Sequence, residues 1–432
     1  MMATENLDRT KRTIDAVWRM ESAKITAVLA RMLSGDIGLA EELAQDALVT
    51  ALEQWPGKGI PDNPGAWLMA TAKHRAIDRL RHGKLAEEKH AEIARELDEQ
   101  QEARADDMLA ALDDDVGDDM LRLMFTACHP VLSAEARVAL TLRLLGGLTT
   151  DEIARAFLVP EPTIAQRIVR AKRTLSEANV PFELPRGEDR VVRLASVLDV
   201  IYLVFNEGYA ATAGEDWMRP ALCEEALRLG RILAELAPGE AEVHGLVALM
   251  EIQASRLHAR TDKTGAPILL LEQNRAHWDW LLVQRGLAAL ERAEKISGGR
   301  GGYQLQAAIA ACHARARRAE DTDWVRIAAL YAELAQVSPS PIVELNGAVA
   351  IGMAFGPQAG LDLVDHLGGE PALRNYHLLP SVRGDLLFKL GRLDEARVEF
   401  ERAAAMTRNA REQKLLLERA GQCDGPSAHT LQ

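Results

Sequence analysis

The stretch LTTDEIARAFLVPEPTIAQRIVRAKRTL, residues 148–175, decides the fold of its part of the chain. Thr149 and Glu152 have the spacing of a capping box, in which each side chain bonds the other residue's backbone N–H, so a helix is predicted to begin there. Pro160 and Pro162 end this helix after about two turns, because proline cannot continue the ladder of helical hydrogen bonds. The pattern predicts a short helix, a tight turn and a second helix.

The second helix of this stretch has one apolar and one polar face. Ile164, Ile168 and Ala171 repeat with helical spacing and are predicted to point inward. The outward face carries hydroxyl, amide and basic side chains, namely Thr163, Gln166, Arg167, Arg170 and Arg173. In a helix-turn-helix the second helix lies in the major groove, where Arg reads guanine and Gln reads adenine. The face therefore favours DNA recognition, and a plain helical hairpin with a solvated face is the alternative.

A second basic helix is predicted upstream in NPGAWLMATAKHRAIDRLRHGK, residues 63–84, where Asn63-Pro64 is typical of a helix entry. Steps of 100° per residue place four apolar side chains in one buried stripe, namely Met69, Ala72, Ala76 and Leu80. The opposite side carries Trp67 and several cations. Bases stack on aromatic rings and cations follow phosphates, so this face favours nucleic acid. A solvated basic face with a partly buried Trp is the alternative.

The helix before it, GDIGLAEELAQDALVTALEQWP at residues 35–56, is predicted to have an acidic outer face. Asp36 is a plausible N-cap, and apolar residues follow with helical spacing. The acidic and amide side chains of the outer face are Glu41, Glu42, Gln45 and Asp46. One acidic and one basic surface on the same helical block suit two partners, one protein and one DNA.

The composition of the 432 residues favours an all-α protein of about two or three domains. Aromatic residues make up 4%, so residues that favour strands are scarce, while Ala and Leu are abundant. The polar N-terminus does not resemble a signal peptide, and no apolar run of about 18 residues predicts a membrane helix. The four cysteines are scattered without a CxxC motif, which indicates reduced, mostly buried thiols in a cytoplasmic protein.

Most of the net charge of −13 comes from one segment. Between Leu85 and Met120, fourteen acidic and three basic residues contribute −11. Such a run is usually a solvated linker. The alternative is that its carboxylates imitate a nucleic-acid backbone inside a basic channel of a partner. A metal site at Asp113–Asp115 is disfavoured, because no His, Cys or second acidic cluster is tied to it.

In this order and spacing, the two basic blocks resemble regions 2 and 4 of a bacterial RNA polymerase sigma factor of the extracytoplasmic-function (ECF) type. AEELAQDALVTAL (40–52) is similar to the polymerase-binding helix of that family. NPGAWLMATAKHRAIDRLR (63–81) is similar to the helix that recognises and melts the −10 element, and residues 148–175 resemble the −35 recognition region. The resemblance covers roughly residues 15–180.

The resemblance implies three sets of site residues. Those facing the β′ clamp helices of polymerase are Glu42, Gln45, Asp46 and Leu48. Those on the −10 element are Trp67, Lys73, His74, Arg75, Asp78, Arg79 and Arg81. Those that read or clamp the −35 element are Thr163, Gln166, Arg167 and Arg170. Two departures stand out: Lys73-His74-Arg75 replaces a small basic-polar pair, and Leu158 replaces the turn glycine, although Leu is disfavoured at positive φ.

The chain after residue 185 is predicted to consist of successive helices. Its clearest repeat is RGDLLFKLGRLDEARVEFERAAAM, residues 383–406. Small and aromatic residues stand there where tetratricopeptide repeats (TPR) place their packing residues, namely Gly384, Gly391, Ala396, Phe400 and Ala403. This part resembles the extension of a sigma-factor subgroup that carries its regulator on the same chain.

Two clusters in the C-terminal part raise the alternative of a metal or ligand site. The first cluster contains residue types that bind metal ions, namely His258, Glu272, His277 and Asp279. Their spacing is irregular and no HExxH motif is present, so core or capping roles are favoured. The second, which could line a pocket, is Asn206, Glu207, Tyr209 and Trp217. A helix-packing role is at least as well supported by the sequence.

These features predict sigma region 2 at 1–85, an acidic linker at 86–118, sigma region 4 at 119–185 and a TPR-like helical regulatory domain at 186–425. The resemblance implies no catalysis, cofactor or metal. It implies binding to core RNA polymerase, through the β′ clamp helices and the β flap, and to promoter DNA. A protein or small molecule is expected to regulate the C-terminal domain. The rivals are a helix-turn-helix regulator with a repeat-type sensor domain and a C-terminal enzyme or ligand receptor.

Overall fold

Helices form every regular element of the described chain, so the all-α expectation is confirmed. The computed structural model describes residues 2–87, 116–296 and 298–424, and most of the predicted acidic linker lies outside these ranges. The chain divides into two compact units, residues 1–201 and 202–432.

The first unit contains helices that fall into two groups. The first group is α1 (Met2–Met32), α2 (Ile37–Lys58) and α3 (Pro64–Glu87). The second group is α4 (Val116–Ala127), α5 (Ala134–Leu144), α6 (Thr150–Phe157) and α7 (Glu161–Glu177). Helix α8 (Gly187–Tyr209) follows and continues into the second unit.

The core of the first group is shared by α1, α2 and α3, and it includes Leu29, Leu43 and Leu68. Asp36 is the N-cap of α2, as predicted, because its Oδ1 accepts the Leu39 N–H at 2.9 Å. The predicted stripe of α3 is partly wrong, since Leu80 is 39% exposed and Leu68, not Met69, is the fully buried side chain. Burial along α3 ends before Asp78, so apolar spacing beyond that residue no longer reports packing.

The second group contains the predicted helix-turn-helix as α6 and α7. The capping box is present: Thr149 Oγ1 accepts the Glu152 N–H at 3.1 Å, and Glu152 Oε2 accepts the Thr149 N–H at 2.8 Å. Leu158 lies in the left-handed region at φ 51° and ψ 42°, so the turn keeps the conformation that glycine would favour. The inward residues of α7 are buried as predicted, namely Ile164, Ile168 and Ala171.

The second unit consists of consecutive helices that pack on their neighbours along the chain. They are α9 (Pro220–Leu236), α10 (Ala241–Ala254), α11 (Trp280–Lys295), α12 (Gly302–Arg315), α13 (Trp324–Val337), α14 (Pro341–Phe355), α15 (Pro357–Leu367), α16 (Leu378–Lys389), α17 (Leu393–Met406) and α18 (Ala410–Gln422). One apolar core joins α10 to α14, and a second joins α14 to α18.

The helix pair α16–α17 has the packing that its sequence predicts. Phe400 is fully buried, and its ring lies so close to Gly384 that a Cβ there would be 2.9 Å from Phe400 Cε1. Gly391 has φ 76° in the turn between the two helices. Small residues at these positions let the two backbones approach around one aromatic side chain.

The cysteines and the apolar length of the helices were also predicted from the sequence. The four cysteines are free and buried. Within the described ranges, no helix has the length and apolar character needed to cross a membrane.

Candidate nucleic-acid interface

The outward face of α7 carries the four predicted −35 residues in one stripe. Thr163, Gln166, Arg167 and Arg170 follow the i, i+3, i+4, i+7 spacing that places side chains along one side of a helix. Gln166 and Arg170 are exposed, and Thr163 and Arg167 are half-buried. The stripe therefore offers two guanidinium groups, one amide and one hydroxyl over about two turns of helix.

The exposed side of α3 carries part of the predicted −10 set. His74, Asp78 and Arg79 are exposed, and Arg81 is half-buried. The Trp67 ring is half-buried and meets the buried Trp55 ring edge to face, with 5.4 Å between centroids. This contact fixes the orientation of the Trp67 ring while part of it remains at the surface.

Lys73 lies on the other side of α3, with only 3% of its side chain exposed. It falls beside the fully buried Ala72 and three residues before the fully buried Ala76. Residues three apart share a helix face, so the wheel of α3 could have revealed this position. In this structure Lys73 is not grouped with the exposed cations, and its contact with DNA stays a prediction.

The polymerase-facing set on α2 is only partly open to solvent. Glu42 is exposed, whereas Gln45, Asp46 and Leu48 are half-buried. Asp46 Oδ2 pairs with Arg75 Nη1 at 3.2 Å. The structure thus joins a residue assigned to polymerase with one assigned to the −10 element through an ion pair between α2 and α3.

Glu41 is a site residue whose role sequence reasoning missed, because it was placed on the outer face of α2. It is 9% exposed and accepts hydrogen bonds from Arg143 Nε at 2.6 Å and from Lys172 Nζ. Gln45 also donates to it, at 2.9 Å. Burial alone would raise the pKa of Glu41, but the ion pairs with Lys172 and Arg143 outweigh burial and hold that pKa below its ordinary value.

The second unit buries three arginines that sequence reasoning did not single out, namely Arg256, Arg260 and Arg275. The Arg260 guanidinium lies 3.5 Å from the centre of the Tyr209 ring and donates to the Tyr209 carbonyl at the end of α8. Arg275 Nη1 donates to the His313 carbonyl of α12 at 2.7 Å. Cations at helix C-termini are favourable because carbonyl groups there lack partners and the helix dipole is negative.

Some of the candidate metal and pocket residues of the second unit have structural partners. Asp279 caps α11, since its Oδ1 accepts the Leu281 N–H at 3.0 Å. Glu207 pairs with Arg219. His258, His277 and Asp279 line a groove of about 730 Å³. In the described ranges no three His, Cys, Asp or Glu side chains are placed to hold a metal ion together.

Family models match three parts of the chain. The model of sigma-70 region 2 matches residues 18–85, and that of sigma-70 region 4 matches residues 122–175. A family of unknown function, DUF6596, matches residues 193–294. No solved structure matches the chain.

Two relatives carry similar sequences over different lengths. Uncharacterized protein R00370 of Rhizobium meliloti (strain 1021) is 44% identical over 378 residues, which cover 87% of this chain and 88% of that protein. Probable ECF RNA polymerase sigma factor SigI of Mycobacterium tuberculosis is 27% identical over 206 residues, which cover 46% of this chain and 68% of that protein.

Proposed function

We propose a function for this chain, which belongs to one family with its Rhizobium meliloti relative and is a sigma factor with regions 2 and 4. We propose that it is of the ECF type, that α2 binds the β′ clamp helices of core RNA polymerase and that region 4 contacts the β flap. Helix α3 recognises and melts the −10 element, and α7 reads the −35 element. The protein acts in the cytoplasm, catalyses no reaction and needs no cofactor.

The observation that carries the proposal is that one unit contains both basic helices, each with an exposed polar face. On α7 the four reading residues form one stripe behind a left-handed turn at Leu158. Arg167 and Arg170 have the geometry to pair with guanine, and Gln166 with adenine, once α7 lies in the major groove.

The proposal for α3 combines stacking and charge. Melting exposes bases that stack on aromatic rings, and Trp67 offers a ring held in place by Trp55. The exposed Arg79 and the neighbouring Arg75 and Arg81 follow the phosphates. Asp46 sits beside Arg75, so the polymerase contact and the −10 contact adjoin each other.

The second unit is proposed to regulate the sigma regions in cis. The packing of Phe400 against Gly384 supports a TPR-like helix pair, and such pairs bury their apolar faces by stacking in arrays. Arrays of this kind present extended surfaces for a protein or a small molecule. The effector of this unit is proposed to act there, away from the DNA-reading residues.

The test is in vitro transcription with purified core polymerase. Core polymerase with this protein should start transcription at discrete promoters, and core alone should not. The variant Asp46→Arg should lower co-purification with core polymerase while circular dichroism stays unchanged, because Asp46 is near the surface. A helix-turn-helix regulator would instead bind duplex promoter DNA without core polymerase and would start no transcription with it, and that outcome would overturn the proposal.

A further inference from the structure

The second unit contains a pocket whose lining is rich in arginine, although the net charge of the chain is −13. The pocket lies between the end of α12 and the start of α13 and has a volume of about 460 Å³. Its lining includes three arginines, Arg315, Arg317 and Arg326, and two carboxylates, Asp321 and Asp323. This site is called the arginine pocket below.

Both carboxylates of the arginine pocket are already bound by other groups. Asp321 accepts two hydrogen bonds from Arg318, at 3.1 Å from Nη2 and 3.2 Å from Nε. Asp323 is the N-cap of α13, where its Oδ1 accepts the Arg326 N–H at 2.9 Å. The three lining arginines are exposed, and they form no ion pair with any residue that the structure describes. Their guanidinium groups are therefore open to an anion from solution.

Two neighbouring groups keep negative charge away from the arginine pocket. The C-terminal end of α12 would repel an anion, because its last carbonyl groups carry partial negative charge. The buried Arg275 offsets this charge by donating to the carbonyl of His313 at 2.7 Å and to that of Ala316, which lines the pocket. Burial raises the pKa of the Cys312 thiol, which also lines the pocket, so at neutral pH this thiol is uncharged.

The chemistry of the arginine pocket favours a phosphate group over a carboxylate. A phosphate ester carries about two negative charges and three acceptor oxygens, whereas a carboxylate carries one charge and two oxygens. Guanidinium groups bind phosphate oxygens in pairs, and three of them surround one such group. The volume lies in the range of about 300–1,000 Å³ that is typical of small-molecule sites.

We propose that the arginine pocket binds a small phosphate-bearing molecule. A nucleic-acid backbone carries the same chemical group, but it needs a track of cations along a surface, whereas these arginines surround one confined pocket. A role of this ligand as the effector of the second unit rests on the proposed function, whereas its binding does not. Because the arginines are exposed, added salt screens them and weakens the binding.

The test is calorimetry on the full-length protein without polymerase or DNA. The probes are inorganic pyrophosphate, inorganic phosphate and succinate, which is a dicarboxylate. Pyrophosphate should bind more tightly than phosphate, because it offers more oxygens to the same three arginines, and succinate should bind at least tenfold more weakly than pyrophosphate. The affinity for pyrophosphate should fall as salt is added.

Two single variants test the arginines without disturbing the fold, because both side chains are exposed. Arg315→Gln and Arg326→Gln should each weaken pyrophosphate binding about tenfold, since each removes hydrogen bonds to a charged group. Arg408→Gln is the matched control, because Arg408 is an exposed arginine of the same unit, outside the pocket lining, without an ion pair among the described residues. It should leave the affinity unchanged, and circular dichroism should show equal helix content in all variants.

Three outcomes would overturn the proposal: no binding of pyrophosphate at millimolar concentration, equal affinity in the pocket variants and the control, or succinate bound as tightly as pyrophosphate. A short DNA duplex distinguishes the two sources of phosphate. If the pocket variants weaken binding of the duplex but not of pyrophosphate, the arginines contact a nucleic-acid backbone and the proposal is wrong. Transcription with core polymerase tests the proposed function separately, so either result stands without the other.

Discussion

Ion pairs between separate helices occur in both units of this chain, and the second unit also buries arginines against aromatic rings and helix ends. The first unit connects its two helical groups through ion pairs between distant segments, such as Arg19 with Glu152 at 2.6 Å and Arg31 with Asp119 at 2.8 Å. The second unit buries Arg260 and Arg275 against aromatic rings and the carbonyl ends of its own helices.

The two kinds of contact differ in the free energy needed to separate their groups. Separated carboxylates and guanidinium groups regain water, so the cost of opening an ion pair near the surface is small and falls further in salt. A buried guanidinium that leaves a helix end exposes apolar rings and orphaned carbonyl groups together. An exposed pair such as Arg19 with Glu152 therefore separates more easily than a buried guanidinium at a helix end.

The largest effect is expected from Phe400→Ala in the second unit. Phe400 is fully buried, so the cavity should lower the free energy of unfolding by about 3–5 kcal/mol. Val398→Ala, at a side chain that is 58% exposed, should change it by less than about 0.5 kcal/mol in chemical denaturation. In a promoter reporter at equal abundance, Phe400→Ala should change output although no DNA-reading residue is altered. Unchanged output would remove the proposal of regulation in cis.

The next effect is expected in transcription from the native promoter and not in the free energy of unfolding. A good bidentate base contact contributes about 1–3 kcal/mol of discrimination, so Arg167→Ala should lower transcription from the native promoter by roughly 5- to 150-fold. Glu177→Ala, near the end of the same helix, is the control. Equal losses from the two variants would remove the assignment of α7 as the reading helix.

A smaller effect is a pH dependence of stability that arises at His313 in the second unit. Burial lowers the pKa of His313 to about 4. Between pH 7.5 and pH 5.0 the unfolded chain takes up a proton at this residue while the folded chain does not. The free energy of unfolding should therefore be about 2 kcal/mol lower at pH 5.0 than at pH 7.5. The stability of His313→Gln should fall less over the same range. Parallel denaturation curves of the two proteins at both pH values would contradict the buried, neutral state of His313.

The smallest effect is expected at the turn of the helix-turn-helix. Leu158 is in the left-handed region and 56% exposed, so Leu158→Gly relieves backbone strain with little loss of packing. Thermal unfolding should show a gain of about 0.5–1 kcal/mol. Arg155→Gly, inside α6, should instead destabilise by about 1 kcal/mol. A loss from both substitutions would mean that the Leu158 side chain stabilises the turn.

Local signals allowed much of the fold and part of the candidate site to be predicted. The capping box at Thr149, the inward Ile168 and the pairing of Gly384 with Phe400 all depend on residues near one another in the sequence. Helical spacing also placed Gln166 and Arg170 on an exposed face. It failed for Leu80, because a helix pattern does not show where neighbouring helices stop covering it.

The parts that could not be predicted depend on contacts between distant segments or on exceptions to average burial. Glu41 lies 131 positions before Lys172, and nothing near either residue indicates the other. Arg260 and Arg275 are buried although arginine is mostly a surface residue, because helix ends and rings compensate the charge only after folding.

The separation between Glu41 and Lys172 also has a consequence during protein synthesis. Translation at about 5–20 residues per second completes α2 roughly 6–23 seconds before Lys172 is made. Throughout this interval Glu41 lacks the Lys172 side chain that later pairs with it. The growing chain therefore passes through a stage in which the Glu41 carboxylate is not yet bound by α7, and the docking of α7 ends that stage.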